Sequence, residues 1–189
     1  ESGKATIRGM DCWQDAAKIK RLVGYIPGEI AFTDARTGDV FLKRQMELLG
    51  RDSREYCQYI CEKLQLDTSA TLKSMSKGMK QKTAIAAAFM HQPDILILDE
   101  PTTGLDPLMR DTFIELLKEQ KAMGHTVFMS SHIFEEIEMS CDRVALIKGG
   151  KIVAVTSMDD IRHNRNKTFK VEFKDEESFR KFVSFYQPK

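Results

Sequence analysis

Ile95-Leu96-Ile97-Leu98 runs without a break into Asp99-Glu100. Four apolar residues in a row, with no polar alternation, fit a central strand of a parallel sheet buried on both faces. Two carboxylates then stand at its carboxyl end, where open α/β sheets bind their ligands. Such a pair suits phosphate chemistry. One carboxylate can hold Mg²⁺, usually through water, while the other orients or deprotonates an attacking water. Taken alone, an apolar strand ending in Asp-Glu is equally compatible with a plain solvated strand end.

The rest of the chain alternates strand-like and amphipathic stretches, which predicts α/β with a mainly parallel sheet. Strands are expected at Ala5–Arg8, Val23–Ile26, Ile95–Leu98 and Thr126–Ser130. Helices are expected at Asp15–Leu22, Thr37–Leu49, Ser53–Leu64, Ser76 to about His91, Leu108–Met123 and Ile133–Ser140. Thr37 and Ser53 are candidate N-caps, and Gly124 stops its helix as a C′ glycine would. Gly149-Gly150 between Val144–Ile147 and Lys151–Val155 predicts a hairpin, because both central turn residues need positive φ. His163 to Lys167 is polar and basic and reads as a linker. A half-exposed strand (Thr168–Phe173) and an amphipathic helix (Glu176–Tyr186) follow it.

With 189 residues the chain can bury a substantial core. Hydrophobic residues are 42% and charged residues 30%, ordinary for a globular protein, and the formal net charge is +1. That balance gives no support to nucleic-acid binding driven by bulk charge. No apolar run approaches the roughly 20 residues that span a bilayer; if a membrane matters, it enters through a partner. The first residues show no signal peptide and no initiator Met, so the chain is expected to start inside a longer protein. Cys12, Cys57, Cys61 and Cys141 form no C-x-x-C pair. They read as reduced, partly buried thiols rather than a metal or redox site.

Several further elements surround the Asp-Glu strand end. Pro101-Thr102-Thr103-Gly104-Leu105-Asp106-Pro107 continues directly from it. Upstream, Met75-Ser76-Lys77-Gly78-Met79 opens a helix, and downstream Ser130-Ser131-His132 ends the next strand. In order and spacing, over roughly Ile7 to Val155, these resemble the ATP-binding-cassette (ABC) ATPase family. Asp99-Glu100 resembles the Walker B pair, and Gly104-Leu105-Asp106 the D-loop. Ser76 to Gly78 resembles the signature motif, and His132 the switch histidine. The fold implied is α/β: a P-loop NTPase-like, mainly parallel sheet with a helical signature subdomain at about 37–91. The implied division is a partial ABC ATPase domain over 1–162 and an appended strand–helix element over 163–189.

Each element has a physical basis beside its plainer alternative. Ser76, Lys77 and Gly78 sit at a helix N-terminus, where free amides and the dipole favour an anion. The resemblance implies that they bind the γ-phosphate of ATP held by the opposite subunit of a head-to-tail dimer; the plainer role for Ser76 is an ordinary N-cap. His132 could be a surface histidine, or could hydrogen-bond the γ-phosphate or the attacking water. Asp106 could simply shape its turn and cap the next helix, or could communicate across the dimer interface. Phe32, Phe41 and Met46 are candidate contacts for a permease; helical spacing favours the core for Phe41 and Met46.

Three departures from the family pattern stand out. The phosphate-binding loop G-x-x-x-x-G-K-[ST] is missing. Ser2-Gly3-Lys4-Ala5 imitates its end, but Ala5 stands where Ser or Thr should meet Mg²⁺ and no upstream glycine exists. The loop, its strand and its helix are expected to precede Glu1 in the parent protein. Next, Gly28 takes the place where the Q-loop usually carries Gln, with Glu29 beside it as a candidate carboxylate toward Mg²⁺ or the permease. Last, the signature reads Met-Ser-Lys-Gly-Met, similar to variants among exporter-type cassettes.

The resemblance implies a Mg²⁺-dependent ATPase that powers a separate transmembrane permease, an exporter, from the cytoplasmic face of the cell membrane. Alternatives are a soluble ABC ATPase of translation or DNA maintenance, or a non-enzymatic cassette-like module. Without the phosphate loop this chain alone is expected to be inactive, and to expose apolar sheet surface. Replacing Glu29 by Ala in the parent protein should uncouple hydrolysis from transport. Transport and ATPase rates measured side by side check this, and unchanged rates in both count against it.

Overall fold

In a computed structural model of the chain, residues 3–32, 35–50, 52–163 and 170–185 are described. The expected first strand is a small hairpin instead, β1 (Thr6–Ile7) against β2 (Met10–Asp11). Its two turn residues, Arg8 and Gly9, have φ of 50° and 77°. Positive φ at both positions matches the right-handed twist of a two-residue hairpin, so the chain reverses there. A short helix, α1 (Ala16–Ile19), leads to β3 (Val23–Ile26).

Three helices come next: α2 (Gly38–Leu49), α3 (Arg54–Lys63) and α4 (Lys77–Phe89). Thr37 caps α2 by accepting from the Val40 amide, and Gly50 closes it in the left-handed conformation. Ser53 does not cap α3. Its ψ of 23° keeps the side chain from the first amides, and Asp52 Oδ1 accepts from the Arg54 amide instead. Both α2 and α3 pack on α4. Phe41 and Met46 pack against the core, and the Phe41 ring meets Phe32 edge-on at 4.8 Å.

The chain then alternates: β4 (Ile95–Asp99), α5 (Pro107–Ala122), β5 (Thr126–Ser130), α6 (Phe134–Ser140). Among the described residues β3, β4 and β5 form a parallel sheet in that order, with β4 central. Pairing aligns Ile26 with Leu98 and Leu98 with Met129; one step away it aligns Tyr25 with Ile97 and Ile97 with Phe128. The period of two sends these rows to opposite faces. The first row joins the main core with Ile85, Phe89, Phe113 and Leu117 of α4 and α5. The second stays open, with Tyr25 59% and Phe128 72% exposed. The four-residue apolar run of β4 is therefore fully buried on one face and half-buried on the other, not sealed on both.

Polar side chains tie α3 to α5. Gln120 Nε2 donates to Tyr56 Oη at 2.7 Å, and Tyr59 Oη donates to Glu119 at 2.8 Å. Burial, helped by the nearby Glu119 charge, pushes the Tyr56 hydroxyl up to about 12. The four cysteines are free thiols. A hydrogen bond between Cys57 and Cys61, one turn apart on α3, holds Cys57 below the ordinary thiol range and pushes Cys61 above it.

The chain forms two compact units, Glu1–Cys141 and Asp142–Lys189. That division lies ahead of the 162/163 boundary expected from the basic linker. The second unit opens with β6 (Arg143–Lys148) and β7 (Lys151–Ser157), a hairpin that pairs with itself, and α7 (Met158–His163) packs on β7. Gly149 and Gly150 have φ of 57° and 72°, as the turn requires. α7 is an element the sequence reading missed. Its signal is Ser157-Met158-Asp159-Asp160, in which Ser157 Oγ accepts from the Asp160 amide at 3.0 Å. Residues 170–173 are not a strand, although alternation suggested one; 168 and 169 lie outside the described residues. The Phe173 ring turns instead onto Phe179 and Phe182 of α8 (Glu176–Phe185).

Phe113 is fully buried and meets Phe89 edge-on at 6.0 Å. Replacing Phe113 by Ala should destabilise the first unit by about 3–5 kcal/mol, read as a shift in the urea midpoint.

Candidate nucleotide-hydrolysis site

Asp99 and Glu100 end the central strand, and the register pairs Asp99 with Ser130 at the end of β5. Ser130 Oγ donates to Asp99 Oδ1 at 2.5 Å. The Glu100 amide donates to Ser130 O at 3.2 Å and to Ser130 Oγ at 3.1 Å. Glu100 itself adopts φ 47°, a conformation that costs a non-glycine residue on the order of 1–3 kcal/mol. The two bonds to Ser130 hold it there, and the kink swings the side chain out of the alternation of the strand.

Glu100 Oε2 lies 2.7 Å from His132 Nδ1. A carboxylate only accepts, so Nδ1 carries the hydrogen. The other ring nitrogen, Nε2, remains for a further partner. Glu100 likewise keeps Oε1 for one. A water between these groups would meet an acceptor and an imidazole together.

A second group forms around the start of α4. Ser76 caps the helix by accepting from the Met79 amide at 3.2 Å, so the capping role weighed for it is real. Gly78 lies against the loop that follows Glu100: a Cβ on Gly78 would stand 2.8 Å from Gly104 O. The Lys77 side chain packs on Gly104, whose φ is 85°. Asp106 caps α5, its Oδ1 accepting from the Met109 amide at 3.0 Å, with Pro107 at the first helical position.

Gln81 joins the two groups, and sequence reasoning missed it. It is buried on α4, and its Nε2 donates to Pro101 O at 2.6 Å. The available signal was an amide on the inward face of an Ala-rich helix, among Thr83, Ala84 and Ile85. The loop from Glu100 to Asp106 is thus held at Pro101 by α4 and at Gly104 by Lys77 and Gly78.

The remaining candidates sit as follows. Gly28 is at the Asp99 carboxylate, since a Cβ there would lie 2.8 Å from Asp99 Oδ2. Glu29 is exposed. Lys4 pairs with Asp11 across the β1–β2 hairpin at 3.4 Å and opens no helix. No group of three His, Cys, Asp or Glu side chains among the described residues could hold a metal unaided. Asp99 with the Ser130 hydroxyl fits a different arrangement. Mg²⁺ keeps several waters and takes one or two carboxylates plus substrate phosphate oxygens.

Comparisons with known proteins agree with this architecture. A family profile described as "AAA domain, putative AbiEii toxin, Type IV TA system" matches residues 2–138. The linearmycin resistance ATP-binding protein LnrL of Bacillus subtilis is 33% identical over 85% of this chain and 53% of its own length. The bacitracin transport ATP-binding protein BcrA of Bacillus licheniformis is 34% identical over 93% of this chain and 58% of its own. The solved structure of an ATP-binding subunit of an ABC transporter matches with a TM-score of 0.78 at 30% identity, covering 86% of this chain and 70% of that one. A dimeric ATP-binding cassette bound to ADP and Pi shares the fold, with a TM-score of 0.71 at 20% identity, over 83% of this chain and 74% of that one. The chain belongs to the ABC ATPases and carries the AAA domain that the profile describes. It spans about half the length of these two curated relatives.

Gly78→Ala should displace the Gly104 carbonyl, because backbone cannot yield as a flexible side chain does. The expected loss is roughly 1–3 kcal/mol, seen as a lower melting temperature than that of Gly50→Ala corrected for its φ cost. A Gly78→Ala protein as stable as wild type would show that the contact is not tight.

Proposed function

We propose that this chain is part of the ATP-binding and ATP-hydrolysing subunit of an ABC transporter that drives a separate transmembrane permease in the export direction. The observation that carries the proposal is the 2.7 Å pair between Glu100 and His132 beside Asp99. Glu100 orients the attacking water and takes its proton on Oε1, while His132 steadies Oε2 and meets the γ-phosphate or the water through Nε2. Asp99, held by the Ser130 hydroxyl, would bind Mg²⁺ through water, and the ion would supply charge neutralisation at the phosphates. Ser76, Lys77 and Gly78 present helix N-terminal amides to the γ-phosphate bound by a second subunit, in a head-to-tail dimer across which Asp106 and the Gly104 loop report. Gly28 and Glu29 border the Mg²⁺ side of this site.

Relatives named for linearmycin resistance and bacitracin transport support export. Among the described residues no helix is long and apolar enough to cross a membrane. The subunit then works at the cytoplasmic face of the membrane, with ATP as substrate and no nucleic-acid partner.

The test uses the longest natural form of the protein. Glu100→Gln should lower the steady-state ATPase rate by at least about 100-fold while calorimetry still detects Mg-ATP binding. The 189-residue chain alone should give little binding heat, because its sequence has no glycine-rich loop to cradle the β- and γ-phosphates. Undiminished turnover in Glu100→Gln, or tight Mg-ATP binding by the short chain, would overturn the assignment.

A further inference from the structure

The loop that carries His132 is anchored by a carboxylate with no part in the chemistry above. Glu136 on α6 is only 4% exposed. Its Oε2 accepts from Ser131 Oγ at 2.9 Å, and the same Ser131 Oγ accepts from the Ile133 amide at 3.0 Å. A hydroxyl has one hydrogen and two lone pairs. Giving the hydrogen to Glu136 turns the lone pairs toward the Ile133 amide. The residues on either side of His132 are thereby fixed to each other.

The imidazole needs this anchoring. The His132 side chain is 75% exposed, so packing does not aim it. Its position at Glu100 follows from the backbone at 131–133. Glu136 also has a feature that a purely structural residue would shed: its Oε1 is buried with no hydrogen-bond partner among the described residues. Burying a carboxylate with an unpaired oxygen is costly, and an apolar residue would fill the same space more cheaply.

We propose that Glu136 is a positioning residue for nucleotide hydrolysis, acting through Ser131 to hold His132 Nδ1 on Glu100. This rests on the hydrolytic roles proposed above for Glu100 and His132. Glu136 touches neither substrate nor the reacting atoms.

Two measurements test it. In the longest natural form of the protein, Glu136→Ala and Ser131→Ala should each lower kcat roughly ten- to hundredfold, with KM for ATP within about twofold because neither residue binds nucleotide. The double variant should be no worse than the poorer single one, since the two act as a unit. Glu136→Gln should recover most of the rate, because its amide oxygen still accepts from Ser131. In the 189-residue chain, nitrogen-15 NMR of the His132 ring should show the Nδ1–H form hydrogen-bonded to a carboxylate in wild type and in Glu136→Gln, and lose it in Glu136→Ala and Ser131→Ala. Folded Glu136→Ala protein with an unchanged His132 spectrum overturns the proposal. So does a Glu136→Gln protein as impaired as Glu136→Ala. If wild type and Glu100→Gln hydrolyse ATP alike, the hydrolytic assignment fails, and the His132 spectra still decide whether Glu136 positions the ring.

Discussion

The pairing of Asp99 with Ser130 is the contact from which the site is built. Parallel strands exchange evenly spaced hydrogen bonds, so once β4 and β5 are in register their carboxyl ends stop level with each other. Ser130 then bonds to the Asp99 side chain and to the Glu100 backbone at once. A slip of one residue would turn Leu96 and Leu98 out of the core and Ile97 into it. The buried row against Phe89 and Phe113 opposes that slip. The two carboxylates at the strand end are held in place by apolar packing of the same strands.

From this pairing the site spreads outward in two arms. One passes through β5 into α6, where Ser131 and Glu136 set the backbone of His132. The other passes along the loop from Glu100 to Asp106, fastened by Gln81 at Pro101 and by Lys77 and Gly78 at Gly104. The loop arm begins at Glu100, whose backbone lies in a sparsely populated conformation. Such strain persists where surrounding contacts over-determine it, and it accumulates at functional sites.

Much of this was legible in the sequence, because the strongest signals are local and chemical. The apolar run into two acids, the Ser at a helix start and the double glycine of the hairpin each require a particular backbone, and the structure has it. What escaped depends on contacts distant in sequence. Gln81 stands on the inward face of α4, but what it holds is visible only once Pro101 is beside it. Glu136 is one of several acids on α6, and nothing local marks it as the buried one. Ser53 has the right residue type for a cap, but the chain enters α3 at the wrong angle. The early hairpin was missed because Arg8 is an unusual residue for positive φ. The compact units divide between Cys141 and Asp142, ahead of the basic stretch that suggested a linker and just before the β6–β7 hairpin.

The close approach of Gly28 to Asp99 has a consequence for the strand end. A Cβ at position 28 would stand 2.8 Å from Asp99 Oδ2, the far end of a side chain that can turn. The other carboxylate oxygen, Oδ1, accepts from Ser130. A larger residue at position 28 therefore has to be accommodated by rotation of Asp99 about that bond, so the room left by one missing side chain helps to set how the neighbouring carboxylate stands.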